Sequence, residues 1–239
     1  MANLPALAPV YRVGELRQIE AAATGMPLME RAGAAAAEVA RTIAGERGGA
    51  VLVLAGPGNN GGDALVVARI LRDAFFDVVV VLRGDAAKLP ADAAAAHRAF
   101  VAAGGATVSD YPERFGGSLI IDGLFGIGLA RPLAAADAAL VERANASGIP
   151  ILALDIPSGV NAETGIAMGA AIRARATATF IALKPGLLTG EAVDFCGDLT
   201  VHSLGLDPEA TTPAHGHRLD WKSLASALPA VLGRRARNV

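Results

Sequence analysis

The apolar residues of this chain fall into short unbroken runs and do not alternate with polar residues. Six such runs are rich in valine, isoleucine, leucine and alanine, and turn-forming residues bound them. Continuous apolar runs of this length are typical of strands that helices cover on both faces. We therefore predict six buried strands, at residues 50–55, 77–82, 118–122, 150–155, 177–183 and 198–204.

Stretches with helical spacing separate these runs, at about 62–74, 88–103 and 132–147. Two more helices are predicted before the first strand, one over the apolar positions from Val13 to Ala23 and one from near Pro27 to near Gly45. Strands that alternate with helices form parallel sheets. The pattern predicts an α/β, Rossmann-like three-layer fold, with a mostly parallel, doubly wound sheet and helices on both faces.

Composition narrows the function classes. The 239 residues carry a net charge of −2, which gives no electrostatic case for nucleic acid or an acidic membrane. No apolar run is long enough to span a bilayer, and the first residues lack the pattern of a signal peptide. Cys196 is the only cysteine, so a disulfide framework is excluded. We expect a cytoplasmic protein without a membrane or nucleic-acid partner.

The composition changes near residue 205. The segment that follows, DPEATTPAHGH, has the residues of an exposed loop, and the last residues are basic. We predict one catalytic domain over 1–205 and a tail over 206–239.

Ligands of an open α/β sheet bind beyond the carboxyl ends of its strands. The first strand leads into Gly56-Pro57-Gly58-Asn59-Asn60-Gly61-Gly62-Asp63 and then a helix. Glycines allow close backbone approach to a ligand, and a helix N-terminus favours phosphate. The GxGxxG pattern within this loop is by itself weak evidence for a dinucleotide-binding site. A loop that only held a pyrophosphate would not need the side-chain oxygens of Asn59, Asn60 and Asp63. The alternative is a tight turn with Asp63 as the helix cap.

Two further strands end in an aspartate. Asp122 is followed by a glycine-rich loop that contains Arg131, and Asp155 is followed by a turn that contains Ser158. Arg131 is a candidate anion partner; the alternatives are that Asp122 caps a turn and that Arg131 is solvated.

We expect the three loops to meet at one edge of the sheet. Asn60, Asp122 and Ser158 would then offer only oxygen ligands, which suits a hard cation of undetermined identity.

The segments GPGNNGGD, IDGLFGIGLARP and ALDIPSGVNAETG together resemble the NAD(P)HX epimerase family, the YjeF-type N-terminal domain. The LMERAG helix and ATFIALKPGLL extend the resemblance over almost the whole chain. It implies an isomerase for nicotinamide-nucleotide repair that interconverts the R and S C6 epimers of hydrated NADH and NADPH. The functional partner of such an enzyme is a dehydratase that consumes one epimer. Within the tail, residues 218–239 resemble the opening of that dehydratase domain in bifunctional proteins, which predicts a truncated or shortened form.

The resemblance also assigns site residues. It implies a potassium ion held by Asn60, Asp122 and Ser158, and it places Asp155 against the substrate. The implied substrate contacts are Asn59, Asn60, Gly61, Gly62, Asp63, Gly126, Ile127, Gly128, Leu129, Ala130, Arg131, Pro132 and Asp155. Departures from the family pattern are mild: Ala64 replaces a usual glycine, and Asn161 a frequent aspartate.

Epimerisation at C6 requires that the hydroxyl be protonated and depart, and that water return to the other face. One carboxyl that alternates between its two states can serve as acid and base, and we expect Asp155 to be that catalytic group. A lysine at position 184, after a strand, is more consistent with the surface than with a phosphate contact.

Two other functions remain open. An NAD(P)-dependent oxidoreductase would use the GxGxxG loop, with Asp85 as the ribose-binding acid. A non-catalytic nucleotide-binding module is the third reading. We also expect a homodimer, formed through small residues of the first two helices at Ala22, Ala23, Ala34 and Ala37.

Overall fold

A computed structural model of the protein describes residues 8–45 and 49–219. Six α-helices lie in these ranges: α1 (Val13–Ala22), α2 (Leu28–Ala44), α3 (Asn59–Asp73), α4 (Ala91–Ala102), α5 (Ala135–Ala146) and α6 (Val193–Cys196). The strands are β1 (Ala8–Val10), β2 (Ala50–Ala55), β3 (Asp77–Leu82), β4 (Thr107–Val108), β5 (Leu119–Gly123), β6 (Ile151–Leu154), β7 (Ala176–Phe180), β8 (Asp198–His202) and β9 (Gly216–Arg218).

Seven strands form one parallel sheet in the order β4-β3-β2-β5-β6-β7-β8. The chain starts in the middle of this sheet, builds outward through β3 and β4, and then returns to the other side of β2 with β5. The predicted doubly wound α/β fold is confirmed. Its switch point, where ligands of such sheets bind, lies between the carboxyl ends of β2 and β5.

Both faces of the sheet are covered. Val51, Val53 and Ala55 of β2 pack with helices α1 to α4, whereas Leu52 and Leu54 of the same strand pack with α5 on the opposite face. This explains why the strands read as continuous apolar runs. In the helical layer, Gly33 of α2 lies so close to α3 that a Cβ would meet Val66 at 2.4 Å. Small residues therefore let the helices approach one another closely.

Several predicted element ends differ from the structure. The strand predicted at 177–183 stops at Phe180, because Ile181 adopts a left-handed backbone with φ 66°. Pro27 precedes α2 as its N-cap and does not begin the helix. The short strands β1, β4 and β9 are missing from the prediction, since runs of two or three residues carry no periodic signal.

The segment after residue 205 is not simply an exposed loop. It contains a 3-10 turn at Pro208–Ala210, and β9 pairs antiparallel with β1. The Tyr11 hydroxyl, which is fully buried, also donates to the Thr212 carbonyl at 2.9 Å. Residues up to 218 are thus tied to the domain by strand pairing. The predicted dehydratase-like sequence begins at 218 and lies almost wholly outside the described residues.

The small-residue face proposed for dimerisation is not one surface. Ala37 is fully buried in this chain's own core, Ala23 is half-buried, and Ala22 and Ala34 are exposed. Within the described ranges, no helix combines the length and the apolar character needed to cross a membrane.

Candidate active site at the switch point of the sheet

A cavity of about 680 Å³ opens at the switch point. The loop after β2 forms one side with Pro57, Gly58 and Asn59, and the loop after β5 forms the other with residues 124–131. Asp155, directly after β6, also lines it, as predicted from its position at a strand end. Helix α1 covers the mouth with Leu16, Arg17 and Glu20, none of which the sequence had indicated.

The two loops touch through their backbones. A Cβ on Gly56 would lie 1.7 Å from the Leu124 carbonyl oxygen, and one on Gly61 would lie 1.9 Å from the Gly56 carbonyl oxygen. The Gly56 amide also donates to the Gly123 carbonyl at 3.0 Å. The glycines of the GxGxxG pattern therefore serve, at these two positions, to bring one loop against the other and to turn the chain into α3.

Asp122 is the buried centre of the link between the loops after β5 and β6. Its carboxylate accepts hydrogen bonds from the Ser158 amide at 2.8 Å, the Ser158 hydroxyl at 2.6 Å and the Leu124 amide at 3.2 Å. Burial raises the pKa of Asp122 to about 6, and these hydrogen bonds oppose the rise. The turn-capping alternative is thus part of its role, since it caps the turn at Leu124 and binds Ser158 as well.

Asn60 joins this group from α3. Its side chain is 8% exposed and lies beside Gly126, where a Cβ would meet the Asn60 side chain at 3.3 Å. Neither Oδ1 nor Nδ2 of Asn60 has a hydrogen-bond partner among the described residues. Buried amides normally have partners, so this one indicates a missing ligand. An oxygen-binding cation fits the Asn60 amide oxygen, the Asp122 carboxylate and the Ser158 hydroxyl.

Asp155 and Lys184 form the second polar group of the site. The Lys184 ammonium donates to the Asp155 carboxylate, to the Thr179 hydroxyl at 2.7 Å and to the Phe180 carbonyl at 2.9 Å. Lys184 is only 1% exposed, so the expectation of a surface lysine is wrong. The ammonium is buried because all three of its protons find acceptors there. Asp155 itself has a left-handed backbone, with φ 67°.

Asp63 lies in the second turn of α3, whose N-cap is Gly58, so it does not cap the helix. It lines the cavity beside Asn59 and Asn60. Desolvation raises the pKa of Asp63 well above its ordinary value, repulsion from Asp155 and Glu20 adds to the rise, and Lys184 opposes it.

The remaining predicted contacts divide into two groups. Gly126 to Arg131 line the cavity, and Arg131 is exposed at its rim. Gly61, Gly62 and Pro132 are absent from the cavity wall as described. Gly62 instead faces α2 and α4, where a Cβ would meet Met29 at 2.5 Å. A direct substrate contact through these three residues stays a prediction.

The sequence of this chain is similar to a known family and to several named proteins. The family model described as YjeF-related protein N-terminus matches residues 25–186. The NAD(P)H-hydrate epimerase of Achromobacter xylosoxidans is 49% identical over 211 residues, which cover 87% of this chain and 99% of that protein. The NAD(P)H-hydrate epimerase of Bordetella pertussis is 44% identical over 215 residues, 87% of this chain and 92% of the relative.

A longer relative and a solved structure complete the comparison. The bifunctional NAD(P)H-hydrate repair enzyme of Leishmania major is 42% identical over 85% of this chain, which matches only 38% of that protein. The crystal structure of the yeast protein ynu0 has a TM-score of 0.68, with 22% identity, and covers 83% of this chain and 94% of its own. At that identity the structure supports the fold alone.

Proposed function

This chain belongs to the family of YjeF-related protein N-termini, and we propose that it is an NAD(P)H-hydrate epimerase, which interconverts the R and S C6 epimers of hydrated NADH and NADPH. The observation that carries the proposal is the cavity at the switch point: Asn60 and Asp155 line its wall, and the hydrogen bond between Asp122 and Ser158 joins the loops after β5 and β6 that border it. Relatives that carry this name match nearly their whole length.

The cavity has separate places for the charged and the reacting parts of such a substrate. The first turn of α3 presents backbone N–H groups at Asn59 and Asn60, where a phosphate is favoured. Arg17 and Arg131 are the cationic side chains at the same opening. Asp155 and Asp63 are half-buried carboxyls of the same wall and suit the hydrated ring. The phosphates would therefore bind toward the loops and the ring toward the carboxyls.

The reaction requires the C6 oxygen to leave and a water oxygen to return. When the C6–O bond breaks, its electron pair leaves with the oxygen, and the positive charge spreads from C6 to the ring nitrogen N1. In this proposal Asp155 acts on the exchanging proton, and its carboxylate stabilises the cation electrostatically. Lys184 and Thr179 hold Asp155 in one orientation, so its oxygen is aimed before the substrate binds.

The residues present fit a potassium ion. Asn60, Asp122 and Ser158 would hold it, and its chemistry would be to offset the charge of Asp122 and fix the three loops. The buried Asn60 amide supports this proposal more directly than the Asp122 carboxylate does, because the amide has no hydrogen-bond partner among the described residues. The Phe125 carbonyl, 3.2 Å from the Ser158 hydroxyl, is a further oxygen at the same place.

The oxidoreductase alternative loses its main support. Asp85 is exposed and accepts a hydrogen bond from the Ala87 amide at 3.0 Å, which makes it the cap of a 3-10 turn. It is also absent from the residues that line the cavity. A non-catalytic nucleotide-binding module is less favoured because a buried lysine orients the Asp155 carboxylate toward a cavity, as a catalytic carboxyl requires.

The test is epimerisation of pure R-NADHX, coupled to an S-specific dehydratase whose product is followed by NADH absorbance. We expect the coupled rate to rise in proportion to the amount of this protein, above the rate of the dehydratase alone. A rate independent of this protein, at saturating R-NADHX and with potassium present, would refute the proposal. Hydride transfer from added NADH would instead support an oxidoreductase.

The cellular setting follows from the same proposal. We propose that the protein acts in the cytoplasm together with an NAD(P)HX dehydratase, a pairing that the name of the bifunctional Leishmania relative supports. We also propose a homodimer, now through the exposed sides of α1 and α2 and without Ala37. Light scattering at micromolar concentration tests it, and a monomer mass would refute it.

A further inference from the structure

We propose that Asp63 is the proton donor to the departing C6 hydroxyl, and that Asp155, oriented by Lys184, is the acceptor for the proton of the entering water. This division of labour rests on the proposed epimerase function and replaces the single alternating carboxyl. It follows from three carboxyls and one buried lysine on the wall of one cavity: Glu20, Asp63, Asp155 and Lys184.

Among the residues that the structure describes, Lys184 has one carboxylate partner. Its ammonium uses its three protons on Asp155, Thr179 and Phe180, so none remains for another acid. This contact fixes the orientation of the Asp155 carboxylate in the cavity wall, where it can take a proton from an entering water.

Asp63 has the opposite surroundings. It forms no hydrogen bond or ion pair with another described side chain, and it stands in the wall that this cavity shares with a second one of about 610 Å³. The acids whose charges act on it are Asp155 and Glu20. Glu30 and Asp92 line the second cavity, where Asp92 is exposed, and Arg131 is exposed at the rim of the first. Lys184 is turned toward Asp155, Arg17 lies at the cavity mouth, and Glu30 is paired with Arg69.

These surroundings favour the neutral acid at Asp63. Its pKa is raised well above the ordinary range, first by desolvation and then by the charges of Asp155 and Glu20. Desolvation also raises the pKa of Glu20, but to a smaller extent, and its side chain is exposed at the cavity mouth. Asp63 thus keeps its proton to a higher pH than an ordinary carboxyl does.

The proposed step balances as follows. Asp63 gives its proton to the C6 hydroxyl, the C6–O bond breaks with its electron pair on oxygen, and water departs. A water oxygen then forms a new C6–O bond on the other face of the ring, and its extra proton passes to Asp155. The two carboxyls exchange roles in the reverse direction, and solvent restores their protonation between turnovers.

The main experiment is the pH–rate profile of coupled epimerisation for wild type, Asp63→Asn and Asp92→Asn. The wild-type kcat should fall at high pH as Asp63 ionises. Asp63→Asn should lower kcat by about 10²–10⁴-fold, remove that fall and change KM less than about threefold. Asp92→Asn removes an exposed acid of the second cavity and should match wild type. A high-pH fall that persists in Asp63→Asn, or a kcat within about threefold of wild type, would overturn the proposal.

A second measurement does not depend on turnover. Because the folded-state pKa of Asp63 is raised, its contribution to stability is complete below the unfolded pKa of about 3.9 and is lost as pH rises through the folded pKa. Asp63→Asn should therefore gain Tm relative to wild type between pH 4.5 and pH 8.5. A constant Tm difference would overturn the proposal even if the protein were no epimerase. Asp63→Ala, assayed in parallel, covers the case in which the asparagine variant fails to fold.

Discussion

Replacing Gly56 by alanine tests whether the active site depends on direct backbone contact between the loops after β2 and β5. The new methyl would lie 1.7 Å from the Leu124 carbonyl oxygen and 2.6 Å from its carbonyl carbon. Both atoms belong to backbone, so no flexible side chain can move away. Carbon atoms in contact lie about 3.5–4.0 Å apart, and the loops would have to separate by roughly 1.5 Å.

The expected loss in the free energy of unfolding has two parts. Overpacking of this kind costs about 1–3 kcal/mol, and loss of the hydrogen bond from the Gly56 amide to the Gly123 carbonyl adds about 1 kcal/mol. For a domain of this size, the combined loss corresponds to a fall in Tm of roughly 5–15 °C. Displacement of a catalytic site by about 1 Å can cost 10²-fold in rate, so kcat/KM should fall by at least that order.

Thermal unfolding followed by circular dichroism measures the first effect, and coupled epimerisation measures the second. Gly58→Ala is the matched control for stability, because it lies in the same loop, has φ −112° and has no atom within 4 Å of its new Cβ. Gly116→Ala, which also meets nothing within 4 Å and lies away from the cavity, is the control for activity.

The reasoning would be refuted if Gly56→Ala unfolded within about 2 °C of Gly58→Ala and kept full activity. That result would mean that the loops move apart freely, so their contact would have no role in shaping the cavity.

Three further predictions follow from the site. Lys184→Met leaves the Asp155 carboxylate without its cation and should lower the free energy of unfolding, measured with denaturant, by about 3 kcal/mol. The double variant Lys184→Met with Asp155→Asn should recover part of that loss, and equal stability of the single and double variants would contradict this. Asp155→Asn should lower kcat by about 10²–10⁴-fold and keep potassium activation, and near wild-type turnover would exclude it from the chemistry. Asp122→Asn should raise the potassium concentration needed for half-maximal rate, with partial recovery at high potassium, and an unchanged requirement would remove Asp122 from the cation site.

Much of this architecture could be predicted because it depends on local pattern. The strands β2 and β3 have the predicted bounds, since unbroken aliphatic runs reflect burial on both faces. Asp122 and Asp155 were identified because parallel strands bring their carboxyl ends to one edge. Their position at the end of an apolar run was enough to predict that both residues lie at this edge.

Other features depend on contacts between distant segments. Lys184 was expected at the surface because a lysine has no local signal for burial, and its carboxylate partner, Asp155, lies 29 residues away in the chain. Glu20 was missed because nothing near it in sequence shows that α1 covers the cavity mouth. Gly56 was correctly predicted to approach another group closely, but that group is the protein's own backbone and not a ligand.

The ion pair between Asp155 and Lys184 also constrains how this protein can evolve. A lineage that loses the lysine first leaves a carboxylate without its counter-ion, and one that loses the aspartate first leaves an ammonium that is 1% exposed and short of an acceptor. Each single replacement passes through a less stable ancestor, so the two residues form one heritable unit. Descendants that acquire a new chemistry in this cavity are therefore expected to keep both residues or to replace both.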